Sequence, residues 1–416
     1  YTMVGGLKSV AITDSLQSII MFIAGLILFA MAYGAVDEWT GMEEKLVRHD
    51  EQLAQQMLSV GSPYTWTTST EGLSPEELAR KQLLGGRHLP EQGVLEHRAP
   101  TWLVAFTLII AGIAYAIVNH TQSMRLFAAK NEWHLKMTVF AAGSAMLFMC
   151  FFNLTMGIMG RALFPDQALL PEGNQDAVYP FLVAQFATTG LKGLVVAGIL
   201  AAALSTYDSI GSTLSALMTR DVYARFIVTD RDDRHYLRVG QWLTPVIIGI
   251  SFLYVPFFEG GMLLFFLELT STFVVPLLTL FLMGTLTRVN RHSGWIALLV
   301  GAAYGTMRLS ASWLAEKHGI AVLTPIMANS FAAYPISMLI TGGTMVLLSM
   351  FWGWEAKSDI SHQEKGAWLR SSQESVRQLV DESDEDSQPF SAPWLPGVLA
   401  VLVTVIGCLL SFVVFR

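Results

Sequence analysis

Runs of about twenty apolar residues recur along this chain and constrain its fold more than any other feature. About 20 residues of α-helix cross a bilayer core. Runs of that kind occupy about nine places: 14–36, 101–118, 137–159, the first two-thirds of 191–226, 239–258, 262–283, 295–314, 330–353 and 398–415. Of the 416 residues, 53% are hydrophobic and only 14% charged, a balance that suits hydrocarbon as the main solvent. Inside hydrocarbon each backbone N–H and C=O must be paired within the protein, which runs of this length achieve as helices. The pattern therefore predicts an all-α fold, a polytopic membrane helix bundle of about nine transmembrane helices. Its partner is the lipid bilayer and its location a cell membrane, plasma or bacterial inner, crossed many times.

Several function classes are excluded on the same grounds. The net charge of −7 gathers in two soluble segments, so no nucleic acid is expected as a partner. Cys150 and Cys408 lie inside apolar runs, and the nine histidines never take a metal-ligand spacing such as H-E-x-x-H. No paired carboxylates, nucleophile elbow or phosphate loop falls at a plausible depth, so the chain is not expected to be an enzyme and needs no cofactor. It begins with Tyr1 rather than Met, which suggests a piece of a longer protein.

One apolar run is unlike the rest. Leu191 to Phe226 reads LKGLVVAGILAAALSTYDSIGSTLSALMTRDVYARF, and Ala202, Ser205, Thr206, Ser209, Ser212 and Thr213 recur at steps of three and four. On a 3.6-residue helix they form one stripe, with Asp208 a turn past Ser205. Small and hydroxyl residues let membrane helices approach closely, which is one reading of the stripe. The other is a site for a hard cation, because hydroxyl and carbonyl oxygens can replace the water shell of Na+, and a carboxylate in hydrocarbon needs a partner.

The stretch AAALSTYDSIGSTLSALMTRDVYARF closely resembles the signature of the sodium/solute symporter family, AA-x-x-ST-x-DS with a D-[IV]-Y ending. Asn119, Arg125, Ala128, Ala129 and Lys130 match a second family segment, N-Q-x-x-x-Q-R-x-[LF]-A-A-K, with His120 and Met124 where glutamines are usual. FLMGTLTRVNRHSGWIALLVG is similar to a third, and the likeness runs from Tyr1 to about Gly301. The resemblance implies a core of two inverted five-helix repeats with ion and solute near the membrane midplane. It implies Na+ as coupling ion, held by the Ala202 carbonyl and the Ser205 and Thr206 hydroxyls. A second cation or proton site is implied at Asp14, Asp208 and Ser209. Asp14 is alternatively a helix-start acid facing water, and Asp208 the cap of a bend.

On that alignment residues 1–36 are core helix five and 37–100 an extracellular insertion holding one or two short surface helices. Residues 101–290 are core helices six to ten, and 291–353 two accessory transmembrane helices. Residues 354–396 are a cytoplasmic acidic linker and 397–416 a C-terminal transmembrane helix. Short basic loops at Arg125–Lys136, Arg220–Arg238 and Arg288–Arg291 predict the cytoplasmic side. The broken first core helix, which in the family completes the sodium cage, is not in this sequence, so the chain alone is expected to be incompetent. Asn119, Asn153 and Glu268 are the polar groups expected along a solute pathway, although Glu268 is alternatively paired to Arg308. The family's sugar carriers use a lysine and a glutamine where Met146 and Leu267 stand here, and a gating tyrosine where Thr121 stands. A small organic solute is expected, carried inward with Na+ by alternating access. The alternative is a solute-sensing membrane module attached to a signalling domain, which the short polar segment 354–395 does not favour.

Overall fold

The computed structural model describes residues 2–70, 74, 75, 78, 82, 86–90, 93–126, 129, 132–165, 177–253, 262–318, 323–355 and 394–415. Most of the acidic linker and residues 166–176 of the loop 161–190 lie outside them, as does part of the helix start expected at Ser74–Glu77. In chain order the elements are α1 (Thr2–Ala35), α2 (Glu38–His49), α3 (Glu51–Met57), β1 (Tyr64–Ser69), β2 (Arg87–Leu89) and β3 (Val94–Ala99). Then come α4 (Thr101–Val118), α5 (His120–Leu126), α6 (Glu132–Leu163), α7 (Val178–Phe186) and α8 (Thr189–Leu217). A π segment (Met218–Ile227) continues α8 and is followed by α9 (Asp233–Ser251) and α10 (Met262–Leu269). A second π segment (Thr270–Val274) leads into α11 (Val275–Leu286), and α12 (Ser293–His318), α13 (Pro325–Ala328), α14 (Ala333–Trp352) and α15 (Leu395–Val414) complete the chain.

The protein is a helical membrane bundle. Among the described residues seven helical stretches are long and apolar enough to cross a membrane: Ile12–Ala35, Thr101–Val118, Trp133–Leu163, Thr189–Ile227, Phe265–Leu286, Ala333–Trp352 and Leu395–Val414. The two other expected spans are also helices, α9 and α12, but charge interrupts them. Asp233, Arg234 and Arg238 occupy the first turns of α9, and Arg308 lies within α12.

The chain divides into two compact units, residues 1–59, 120–262 and 393–416 in the first, 60–119 and 263–392 in the second. In the first unit α1 packs along α8, α8 against α9, and α15 along α6. Leu28, Ala32 and Val36 of the α1 end are buried with Met42 and Leu46 of α2, Met156 and Met159 of α6 and Leu182 of α7. That cluster fastens the start of the insertion to the end of α1. The turn between them is tight: Asp37 and Glu38 both take positive φ (61° and 66°), a backbone cost of order 1–3 kcal/mol each. Lys45 offsets it by donating to the Ala35 carbonyl at 3.1 Å and the Asp37 carboxylate at 2.7 Å. Gly41 has no room for a side chain, since a β-carbon there would collide with the Val36 carbonyl.

The second unit carries a feature the hydropathy pattern does not predict. Among the described residues, 37–100 hold the two short helices α2 and α3, where one or two are expected, but also an antiparallel sheet in the order β1-β3-β2. Tyr64 faces Ala99 and Ser69 faces Val94, while Arg87 faces Glu96 across the other edge. Tyr64 packs edge-on to Phe331, ring centroids 5.4 Å apart. Beneath it, Leu103 and Ala111 of α4, Leu267, Val275 and Tyr334 form one buried cluster. The Thr107 hydroxyl donates to the Phe331 carbonyl at 2.9 Å.

Candidate functional site

The hydroxyl-rich helix α8 separates into two faces. On one, Gly211 meets Thr244 and Ile248 of α9, with no more than a methyl group's space between them. Thr244 donates to the Ser215 hydroxyl at 3.0 Å, and Tyr207 stacks on Phe252 at 5.6 Å. On the other face Gly198 meets α1. A β-carbon there would lie 3.3 Å from the Met21 α-carbon and 3.7 Å from the Ala24 β-carbon. At 100° per residue, Ala202, Ser205, Ser209 and Ser212 all fall within about 40° of Gly198, so they continue the side that faces α1. The stripe is therefore not wholly helix packing against α9.

Direction and register follow from the same contacts. Leu182 of α7 is buried with the C-terminal half of α1, and α8 starts three residues after α7 ends. Hence α8 begins beside the end of α1 and runs antiparallel to it. With Gly198 level with Met21, a rise of about 1.5 Å per residue on both helices brings Ser205 level with Asp14. Asp14 and Gln17 share the side of α1 that carries Met21 and Ala24. Asp14 is not a helix cap: α1 begins at Thr2, twelve residues earlier. Nor does Asp208 cap a bend, since α8 runs unbroken through Leu217.

The local chemistry suits a cation. Asp14 Oδ1, Gln17 Oε1 and Asp208 Oδ2 are all buried oxygens. Those of Gln17 and Asp208 have no hydrogen-bond partner among the described residues. A buried carboxylate oxygen without a donor costs a few kcal/mol, which a bound cation would remove. The Thr206 hydroxyl donates to the Ala202 carbonyl at 3.0 Å, leaving its lone pairs, and one on that carbonyl, available. Ser205 is half-buried beside them and Ser209 buried.

Next to these oxygens lies a cavity of about 260 Å³, walled by Met21, Phe22, Phe152, Met156, Gly198 and Ala202 among others, with Asn153 and Tyr179 also in its lining. The structure thus brings Asn153 and Ala202 to one cavity. Asn119 and Glu268 belong to the second unit. Asn119 is extended (φ −73°, ψ 103°) at the junction of α4 and α5, where the apolar run 101–118 ends. Glu268 is paired, in agreement with one of its two readings, at 3.3 Å from Arg308. Met146 is exposed and Leu267 fully buried.

The profile of a family described as "Sodium:solute symporter family" matches residues 1–301. Among curated proteins the chain is 28% identical over 330 residues to solute carrier family 5 member 4 of Rattus norvegicus, covering 75% of this chain and 47% of that one. It is 27% identical over 387 residues to sodium/myo-inositol cotransporter 2 of Homo sapiens, covering 87% and 54%. The chain spans about half the length of these relatives. Among solved structures it resembles a Na+-coupled sialic acid symporter in a substrate-bound outward-open state whose report names a novel Na+ site. The TM-score is 0.58 at 17% identity, over 85% of this chain and 64% of that one.

Proposed function

This chain belongs to the sodium:solute symporter family, and from that premise we propose that it is the ion-binding portion of a secondary active transporter moving a small organic solute inward with Na+. The observation that carries the reading is the placement of Ala202, Ser205 and Ser209 on the side of α8 that faces α1, with Ala202 level with Gln17 and Ser205 level with Asp14. Oxygens arranged on two antiparallel helices can replace part of a hydration shell without rearranging either backbone. In this reading the Ala202 carbonyl and the Ser205 and Thr206 hydroxyls ligate the coupling sodium. Asp14, Asp208 and Ser209 hold a second cation or a proton, whose charge lets two nearby carboxylates stay ionised together.

The solute enters the reading only as a class. Asn153 supplies a two-way hydrogen-bonding group beside the ion oxygens, with Asn119 and Glu268 as further polar groups along the path. Met146 and Leu267 offer no partners for a polyol's hydroxyls. This makes an amino acid, carboxylate or amine as good a fit as the myo-inositol in the name of one relative. Residues 1–36 and 101–290 then serve as core helices five to ten, with 37–100 outside the cell, 354–396 in the cytoplasm, and 291–353 and 397–416 as accessory spans.

The test is uptake by the full-length protein. In Ser205→Ala/Thr206→Ala the Na+ concentration for half-maximal uptake should rise at least tenfold. Loss of two oxygen ligands from a dry site forfeits more than the ~1.4 kcal/mol that a factor of ten requires. Unchanged sodium dependence would return the stripe to helix packing.

A further inference from the structure

The second π segment sits between α10 and α11, where the helix changes phase. Its signature is the Val275 N–H bonding to the Thr270 carbonyl, five residues back. π turns are rare and survive where outside contacts hold them. Here Pro276 follows, and having no N–H it leaves the carbonyls before it short of a backbone donor. Ser337 of α14 supplies one, donating to the Ser271 carbonyl at 3.1 Å.

The stronger hold comes from α12. Gly301, Gly305 and Arg308 lie at steps of four and three, on one side of that helix. Gly301 passes under Pro276, and Gly305 lets α12 touch the Thr272 backbone. One turn further Arg308, only 6% exposed, reaches into the π turn. Its guanidinium donates to the Glu268 carboxylate at 3.3 Å, the Ser271 hydroxyl at 3.1 Å and the Glu268 carbonyl at 3.4 Å. That carbonyl also accepts from the Ser271 and Thr272 hydroxyls, both at 2.8 Å. Three side-chain donors converge where an α-helical carbonyl needs a single backbone donor. Ser330 donates to the same Glu268 carboxylate oxygen at 3.3 Å.

We propose that Arg308 is a positioning residue. From the accessory helix it holds residues 270–274 in the π form and so sets which side chains of α10 face inward. A π turn carries one more residue than the α turn it replaces. Relaxing it would rotate α10 by about 100° relative to α11. Leu267, now fully buried, would turn outward, and Glu268 would leave its present direction.

The test uses the full-length protein in lipid nanodiscs, with Cys150→Ala, Cys408→Ala and the replacement of every other native cysteine as background and a single new cysteine, either Leu267→Cys or, at an exposed neighbour, Phe266→Cys. The maleimide labelling rate reports helix phase and needs no uptake, so this inference can fail without the transport reading failing. With Arg308 present, the thiol at position 267 should react at least tenfold more slowly than the thiol at position 266. In Arg308→Met that ratio should collapse to within about threefold. Glu268→Gln/Arg308→Met also removes the carboxylate left without its guanidinium and should recover folding without recovering the ratio. Arg308→Lys keeps the charge but not the fork and should fall between. If position 267 stays protected in the folded double variant, or in Arg308→Lys should that alone fold, Arg308 does not set the phase of the helix.

Discussion

Replacing Gly305 by alanine should destabilise the second unit, although alanine is the better helix former. A β-carbon at position 305 would lie 2.5 Å from the Thr272 α-carbon and 2.6 Å and 2.7 Å from its Cγ2 and Cβ. Ordinary contact needs about 3.4 Å or more, so α12 must retreat by roughly 1 Å; no rotamer change helps, because the obstacle is backbone. Overpacking of this kind costs about 1–3 kcal/mol. The retreat also stretches the Arg308 bonds, already 3.1–3.4 Å long, and hydrogen bonds to charged groups contribute ~1.5–3 kcal/mol each. Against this stands about 1 kcal/mol of helix propensity gained, leaving a net loss of about 2 kcal/mol. Gly343→Ala is the control, since a β-carbon there meets nothing within 4 Å, and it should gain up to about 1 kcal/mol. At about 2–4 °C per kcal/mol, the two variants should melt roughly 6–12 °C apart in detergent. If Gly305→Ala melts at or above the wild type while Gly343→Ala behaves as expected, the close approach of α12 to the π turn is not real.

Two further outcomes bear on the ion sites and the topology. Asp14→Asn and Asp208→Asn in the full-length protein should each lower the number of cations moved per solute, read from reversal potentials; if both stoichiometry and pH dependence are untouched, the second site does not exist. Cysteine placed at Thr70 should react with an impermeant thiol reagent from outside and cysteine at Arg225 should not; the reverse labelling would invert the assignment drawn from the basic loops.

The bundle is legible in the sequence because its signal is additive. Twenty apolar residues announce a span whatever their neighbours do, and seven of the nine expected spans meet the criterion. The reach of the family likeness, from Tyr1 to about Gly301, coincides with the matched residues 1–301. The insertion is only half legible. Tyr64–Ser69 is a run of Thr and aromatic residues of the kind that suits a strand, and Gly93, at φ 63°, marks the turn into β3. That signal is present but is outweighed by the polar character of the whole segment. The helix-start alternative for Asp14 arises because the apolar run is read as beginning there, whereas α1 extends back to Thr2.

The π turns escape the sequence for a different reason. A π turn differs from an α turn by one residue in its hydrogen-bond pattern, and no side chain between Thr270 and Val274 requires it. What selects it is supplied from elsewhere: Ser337 some 66 residues on, Gly305 and Arg308 on a separate helix. The traces in the sequence are indirect. Pro276 shows that carbonyls must find other donors, and Gly301 with Gly305 shows that α12 comes close to a neighbour. Neither says that the two meet. Periodicity reports what each helix does with water and lipid, while a helix's phase is decided by what its neighbours donate. The residues that hold this π turn therefore lie at the edge of the family match or beyond it: Gly301 is its last residue, and Gly305, Arg308 and Ser337 fall outside it.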